Sequence, residues 1–151
     1  MKNDKTIIIS CAGNRREVVW RPQRILWSEF IRKASQPVVS QETFQEYKAM
    51  SRGQQDDLKD VGGYVGGTLK DNRRRTGNVI SRSLITLDAD SIPAGGTNGI
   101  LMRVSTLGCA YAVYSTRKHE SAAPRLRIVI PTDRDMTAEE FALLAGRTRP
   151  Y

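Results

Sequence analysis

Apolar residues fall along this chain in two textures, one for each half. Thr6 to Ser10, Thr-Ile-Ile-Ile-Ser, is a continuous β-branched run that reads as a strand, followed by a polar loop through Gly13 and Asn14. Phe30 and Ile31 then stand in a short helix that Ser28 is expected to cap and Pro37 to end. Thr43 to Met50 predicts a second helix presenting Phe44 and Tyr47. Ser51 and Gln54 form a capping-box pair that opens a third, Arg52 to about Lys59. The first half therefore reads as mostly helical. After it, "DVGGYVGG" and "KDNRRRTGN" bring glycine pairs and a cationic cluster. No Gly-Lys-Ser or Gly-Lys-Thr follows, so this is no Walker loop, and the stretch reads as a flexible surface turn with Tyr64 as a packing residue.

The second half is more regular. Val79 to Leu87 predicts a strand. Thr97 is the expected N-cap of a helix that carries Ile100, Leu101, Val104 and Leu107 on one face and ends at Gly108. Cys109 to Ser115 and Arg125 to Pro131 predict two more strands joined by a polar loop, and Thr137 with Glu140 caps a final helix through Phe141, Leu143 and Leu144. The order β-α-β-β-α is the split ferredoxin-like, or RNA-recognition-motif (RRM), arrangement short of its last strand. The expectation is an α+β chain: residues 1–78 as an N-terminal helical α/β module with a glycine-rich and basic loop, and residues 79–151 as an incomplete RRM-like palm, together one compact unit. Either the Thr6 to Ser10 strand fills the vacant edge, or the edge is open, or the chain is a piece of a longer protein.

Composition narrows the partners. A chain of 151 residues with 39% hydrophobic content can bury a real core. The formal charge of +8, from 24 Lys and Arg against 16 Asp and Glu, favours polyanions such as nucleic acid or nucleotides. One His and two Cys cannot build a zinc cluster. Cys11 and Cys109 lie beside apolar residues and read as buried free thiols of a reducing compartment, or at most as one disulfide. The apolar run at the N-terminus is too short for a signal peptide or a membrane span, which predicts a soluble cytoplasmic protein with no membrane partner.

The candidate chemistry sits in "LITLDADSIP". Side chains two apart on a strand share a face, so Asp88 and Asp90 stand together and need a positive group between them, such as Mg²⁺ or Mn²⁺. The loop "STRKHESAAPRLR" brings Ser115, Lys118 and His119, then Arg125 and Arg127 on alternate positions of the neighbouring inner strand. Taken singly, each has a plain reading: a turn with solvated carboxylates, a surface histidine, arginines on an exposed face with Leu126 and Ile128 packed inward. Jointly, carboxylates for a metal and cations for phosphates suit a nucleoside triphosphate, and so nucleotide transfer or phosphodiester cleavage.

Three separated segments, "MSRGQQDDLKDVGGYVGGTLK", "SRSLITLDAD" and "YAVYSTRKHESAAPRLRIVIP", resemble the primase-polymerase domain at the N-terminus of virulence-associated protein E-like replication proteins of prophages and mobile elements. That domain belongs to the archaeo-eukaryotic primase superfamily. The resemblance covers nearly the whole chain and implies a primase-like fold and a DNA-directed nucleotidyltransferase. Asp88 and Asp90 would be the metal-binding pair, with two divalent ions activating a 3′-hydroxyl and stabilising the leaving pyrophosphate. His119, with Ser115, Lys118, Arg125 and Arg127, would hold the triphosphate. Lys70, Arg73, Arg74 and Arg75 would touch a single-stranded DNA template, and a helicase domain would be fused or encoded nearby.

Two departures stand out. Arg117 occupies the place, two before the histidine, of the family's usual small hydroxyl residue, and no third acidic motif follows Asp133 and Asp135, which are expected in the loop before the last helix. A truncated domain that binds a metal-nucleotide complex without polymerising alone is the resulting expectation. A non-catalytic nucleic-acid-binding module and a metal-dependent nuclease on the same sheet are the competing readings.

Overall fold

The computed structural model describes residues 4–147. Over the described residues the fold is mixed α+β, with two antiparallel sheets and five α-helices. β1 (Thr6–Ala12) is the β-branched run, and it is the centre of the first sheet, flanked by β2 (Arg21–Leu26) and β3 (Gly63–Val65). β2 has no apolar alternation, and only Ile25 of its residues is buried. It pairs along nearly all of β1, from Thr6 opposite Leu26 to Cys11 opposite Arg21, and as an edge strand it tolerates Pro22.

α1 (Trp27–Ala34) follows β2 without a loop, because Leu26 is still extended when the helix begins. Ser28, expected to cap it, lies instead inside the first turn, where its backbone N–H and hydroxyl both donate to Asp4. Trp27 stacks on Phe30 at 5.4 Å, and Phe30 meets Tyr64 edge-on at 5.1 Å. α2 (Phe44–Ala49) and α3 (Arg52–Leu58) start at complete capping boxes, Thr43 with Glu46 and Ser51 with Gln54.

The second sheet runs β4 (Gly67–Leu69), β5 (Val79–Ala89), β7 (Leu126–Thr137), β6 (Ala112–Ser115). β7 is antiparallel to both β5 and β6, so β5, α4 (Thr97–Ser105) and β6 make a split β-α-β unit with β7 inserted. The edge beside β5 is filled by β4, from the glycine stretch read as a surface turn; Thr6–Ser10 stays in the other sheet. Glycine makes this possible. A Cβ on Gly67 would stand 1.8 Å from the Ser81 carbonyl oxygen, and one on Gly66 would stand 2.6 Å from the Leu84 Cβ. The loop from Lys70 to Asn78 is tied down as well: Lys70 N–H donates to Asn78 O at 2.7 Å and Trp20 N–H to Asn72 O at 2.7 Å.

Further expectations shift in detail. Gly96 takes the cap position of α4 and Thr97 is its first residue. The strand expected from Cys109 starts only at Ala112. Cys109 is exposed rather than buried and Cys11 half-buried, both free. Asp133 and Asp135 belong to β7 and not to a loop, with Asp135 accepting the Ser83 hydroxyl at 2.6 Å. α5 (Ala138–Arg147) starts at the expected Thr137 and Glu140 exchange.

One cluster of buried residues joins the sheets: Ile7, Ile9 and Ile25 of the first, Trp27 and Phe30 of α1, Leu84 and Val129 of the second. The Leu84 face of the second sheet is therefore partly covered by the first sheet and α1. Among the described residues, no helix is long and apolar enough to cross a membrane.

Candidate functional site

The covered face of the second sheet continues past the core into a charged end. Leu84, Thr86 and Asp88 alternate along β5 and stand opposite Pro131, Val129 and Arg127 of β7. The same antiparallel register carried two residues further sets Asp90 against Arg125. Asp88 and Asp90 thus project to one side, as their spacing implies, and each meets an arginine of the neighbouring strand. Arg127 binds Asp88 through two donors, Nε to Oδ1 at 2.7 Å and a terminal nitrogen to Oδ2 at 3.2 Å. The Arg125 to Asp90 contact is looser, at 3.6 Å. The like-charge problem posed by the two carboxylates is met here by guanidinium groups. The bond to Asp88 raises the Arg127 pKa further, so this cation is permanent.

The floor beside Arg127 is aromatic. Tyr114 of β6 pairs with Arg127 across the strands, and its hydroxyl lies 3.2 Å from that of Tyr64, which reaches over from β3. Burial pushes the Tyr64 hydroxyl well above its ordinary pKa, so it stays a neutral hydrogen-bonding group. Tyr64 also packs against the core through Phe30, the packing role expected of it.

His119 is held by the backbone of the strand that carries the arginines. The Arg125 N–H donates to its Nδ1 at 3.1 Å, and its own N–H donates to Thr116 O at 2.8 Å. The same Nδ1 lies 3.2 Å from the Arg125 carbonyl oxygen, so it can accept from the one group or donate to the other, and Nε2 is the edge left for a ligand. Arg117 has a different occupation. Its guanidinium binds Glu42 and Ser40 and lies over the Tyr47 ring at 4.7 Å, fastening the loop to the segment before α2. Lys48 and Glu120 add a second tie at 3.1 Å.

The remaining expected residues are more dispersed. Ser115 pairs with Leu126, one position out of phase with the Tyr114 and Arg127 pair, yet lines the same concavity of about 830 Å³. Lys118 is half-buried in the loop and forms no ion pair among the described residues. Asp88 and Asp90 border a separate concavity of about 820 Å³ with Ile92, Gly96, Ile100 and Arg103. Arg74 and Arg75 come to a concavity that Arg127 also lines; Lys70 and Arg73 are exposed and do not line it. Arg82 and Tyr114 escaped the sequence reading, because a lone arginine or tyrosine inside a strand carries no signal of what lies across from it.

Asp88 and Asp90 fit a hard divalent ion in kind and number. Mg²⁺ and Mn²⁺ are commonly held by one or two carboxylates, with substrate phosphates and water completing the shell. The Asp88 and Asp90 side chains are 51% and 54% exposed, open to such a ligand. Among the described residues, no group of three or more His, Cys, Asp or Glu converges, so this face offers a pair and not a closed metal cage.

A protein-family model described as the VapE N-terminal domain matches residues 1–149. No curated protein and no solved structure matches the chain.

Proposed function

The chain belongs to the VapE N-terminal domain family, and from that premise we propose that it is the nucleotide-binding, primase-polymerase part of a prophage or mobile-element replication protein. What supports this most is the cross-strand array Asp88–Arg127 and Asp90–Arg125 on one sheet face, with His119 fixed to the backbone of Arg125. Asp88 and Asp90 would hold Mg²⁺ or Mn²⁺, which when bound neutralises phosphate charge and lowers the barrier to attack at phosphorus. With Asp88 and Asp90 holding a metal, the Arg125 and Arg127 guanidinium forks would be free for triphosphate oxygens, whose orientation bidentate hydrogen bonds would fix. His119 donates from Nε2 to an outer phosphate. The second sheet's order, β4-β5-β7-β6, supports this reading, since an RRM-like palm with its edge strand supplied from upstream would have it.

A second reading, a nucleic-acid-binding module without catalysis, is favoured by one observation: both carboxylates already have arginine partners. Calorimetric titration of Mn²⁺ with a nucleoside triphosphate separates the two. The proposed function expects saturable binding that needs the metal and is lost in Asp88→Ala with Asp90→Ala. Binding of neither component to the wild-type chain sinks it and leaves the second reading.

A further inference from the structure

His119 stands in a turn that is fastened on both sides, and both fastenings come from the segment around α2. Its N–H donates to Thr116 O at 2.8 Å, which makes Arg117 and Lys118 the central residues of a tight turn that His119 closes. Two positions before it, the Arg117 guanidinium donates to Ser40 Oγ at 2.5 Å and to Glu42, in the stretch leading into α2. One position after it, Glu120 pairs with Lys48 of α2 at 3.1 Å. The ring itself rests on the Arg125 backbone, whose nitrogen lies 3.1 Å and whose carbonyl oxygen lies 3.2 Å from Nδ1.

Arg117 is the firmer of the two ties. Its side chain and that of Glu42 are 26% and 13% exposed, whereas Lys48 and Glu120 meet at the surface. The guanidinium also covers the ring of Tyr47 at 4.7 Å, and Tyr47 is the one buried residue of α2, so the helix is seated on Arg117. An ion pair taken out of water adds little net stability, because desolvating both charges costs about as much as their attraction supplies. The Arg117 Nε and the Tyr47 hydroxyl are buried with no hydrogen-bond partner among the described residues, a further cost at the same place. What the arrangement does supply is one fixed geometry. A planar guanidinium held by two oxygens and a ring face has a single orientation, and the turn that carries it is fixed with it.

Arg117 lines the same concavity as Arg127 and Ser115, and by charge alone it reads as one more ligand for phosphate. Its contacts say otherwise: Glu42 matches its charge and Tyr47 takes the face of its guanidinium. We propose that Arg117 is a positioning residue and not a phosphate ligand. Paired with Glu42, it fixes the turn that holds His119 and so sets where the open Nε2 edge points. The consequence for binding rests on the function proposed above, in which His119 meets an outer phosphate; the placement of the turn needs no nucleotide. Ser40, Glu42 and Tyr47 thereby act on the site without touching its ligand.

Removing Glu42 separates the two roles by sign. Were Arg117 a phosphate ligand, Glu42→Ala would release its guanidinium and take away a negative charge, and triphosphate binding would tighten. For a positioning pair, Glu42→Ala and Arg117→Ala should each weaken Mn²⁺-dependent binding of a nucleoside triphosphate about 10-fold in calorimetry, and the double variant should be no worse than the worse single one. His119 is the only histidine of the chain, so its ring signals are identified in an NMR spectrum without further variants. In both variants those signals should shift, and the Arg125 amide should exchange with solvent about 10-fold faster. Glu29→Ala, which breaks the exposed pair with Lys33 on α1, should leave the affinity and the signals as in the wild type. Tighter or unchanged triphosphate binding in Glu42→Ala overturns the proposal, as do His119 and Arg125 signals that stay in place in both variants. A wild-type chain that binds no triphosphate removes the function proposed above, and the His119 and Arg125 signals then decide alone whether Arg117 sets the turn.

Discussion

Replacing Gly67 with alanine tests the least expected part of the fold, the closure of the second sheet by β4. The added Cβ would stand 1.8 Å from the Ser81 carbonyl oxygen and 2.9 Å from the Arg82 Cα, at a backbone φ of +156°. Those neighbours are backbone atoms of β5, which cannot swing aside. The chain therefore has two responses, and the cheaper one sets the cost. If β4 stays, overpacking and backbone strain cost about 3 kcal/mol or more. If β4 leaves, Leu69, now 3% exposed, returns to water at about 1.5–3 kcal/mol. The Ser10 hydroxyl bond to Gly67 O, 2.8 Å long, is lost as well, at about 1 kcal/mol. Either way Gly67→Ala should lose about 2.5–4 kcal/mol of the roughly 5–15 kcal/mol typical of a domain. Urea unfolding followed by fluorescence of the buried Trp20 and Trp27 measures it. Gly53→Ala is the matched control: nothing lies within 4 Å of its Cβ, and in α3 alanine should be neutral or stabilise by up to about 1 kcal/mol. A Gly67→Ala chain as stable as the wild type would refute the pairing of β4 with β5.

Other outcomes follow from the same contacts. Arg127→Ala frees Asp88, so Mn²⁺ alone should bind somewhat more tightly, by the worth of a half-exposed pair, about 0.2–1 kcal/mol, while triphosphate binding weakens; calorimetry reads both. Leu84→Ala, at the contact between the sheets, should cost about 2–5 kcal/mol in the same urea assay. The Glu140 carboxyl is held down to about 2 from an ordinary 4.5 by Arg134 and then by the Thr137 N–H. A depressed carboxylate contributes stability above its unfolded pKa and loses it as pH falls through the folded one. Thermal melts of wild type and Glu140→Gln should therefore differ at neutral pH and converge between pH 4.5 and about 2.

What this sequence determines by itself is local. The three capping boxes, Thr43 with Glu46, Ser51 with Gln54 and Thr137 with Glu140, stand where their spacing puts them, because both partners lie within one turn. β1, β5 and β7 were legible because a β-branched apolar run prefers extended backbone whatever it pairs with. The shared side of Asp88 and Asp90 followed from the two-residue period of a strand. Tertiary structure decided what depends on partners far along the chain. β2, β3 and β4 have polar or glycine-rich sequences, and they are strands only because β1 and β5 offer unpaired hydrogen-bonding edges. Ser28 turned from cap to ligand of Asp4 because β1 and β2 bring the chain's start beside α1. The register that sets Arg127 against Asp88 and Arg125 against Asp90 belongs to the pairing of β5 with β7, broken by an irregularity between Arg82 and Leu84, and nothing in either strand alone encodes it. The convergence of Arg74, Arg75, Arg82 and Arg127 depends on the same pairing together with the close approach that Gly67 allows. Backbone preference is a property of neighbours in sequence, whereas charge convergence is a property of strand order, and only folding supplies the second.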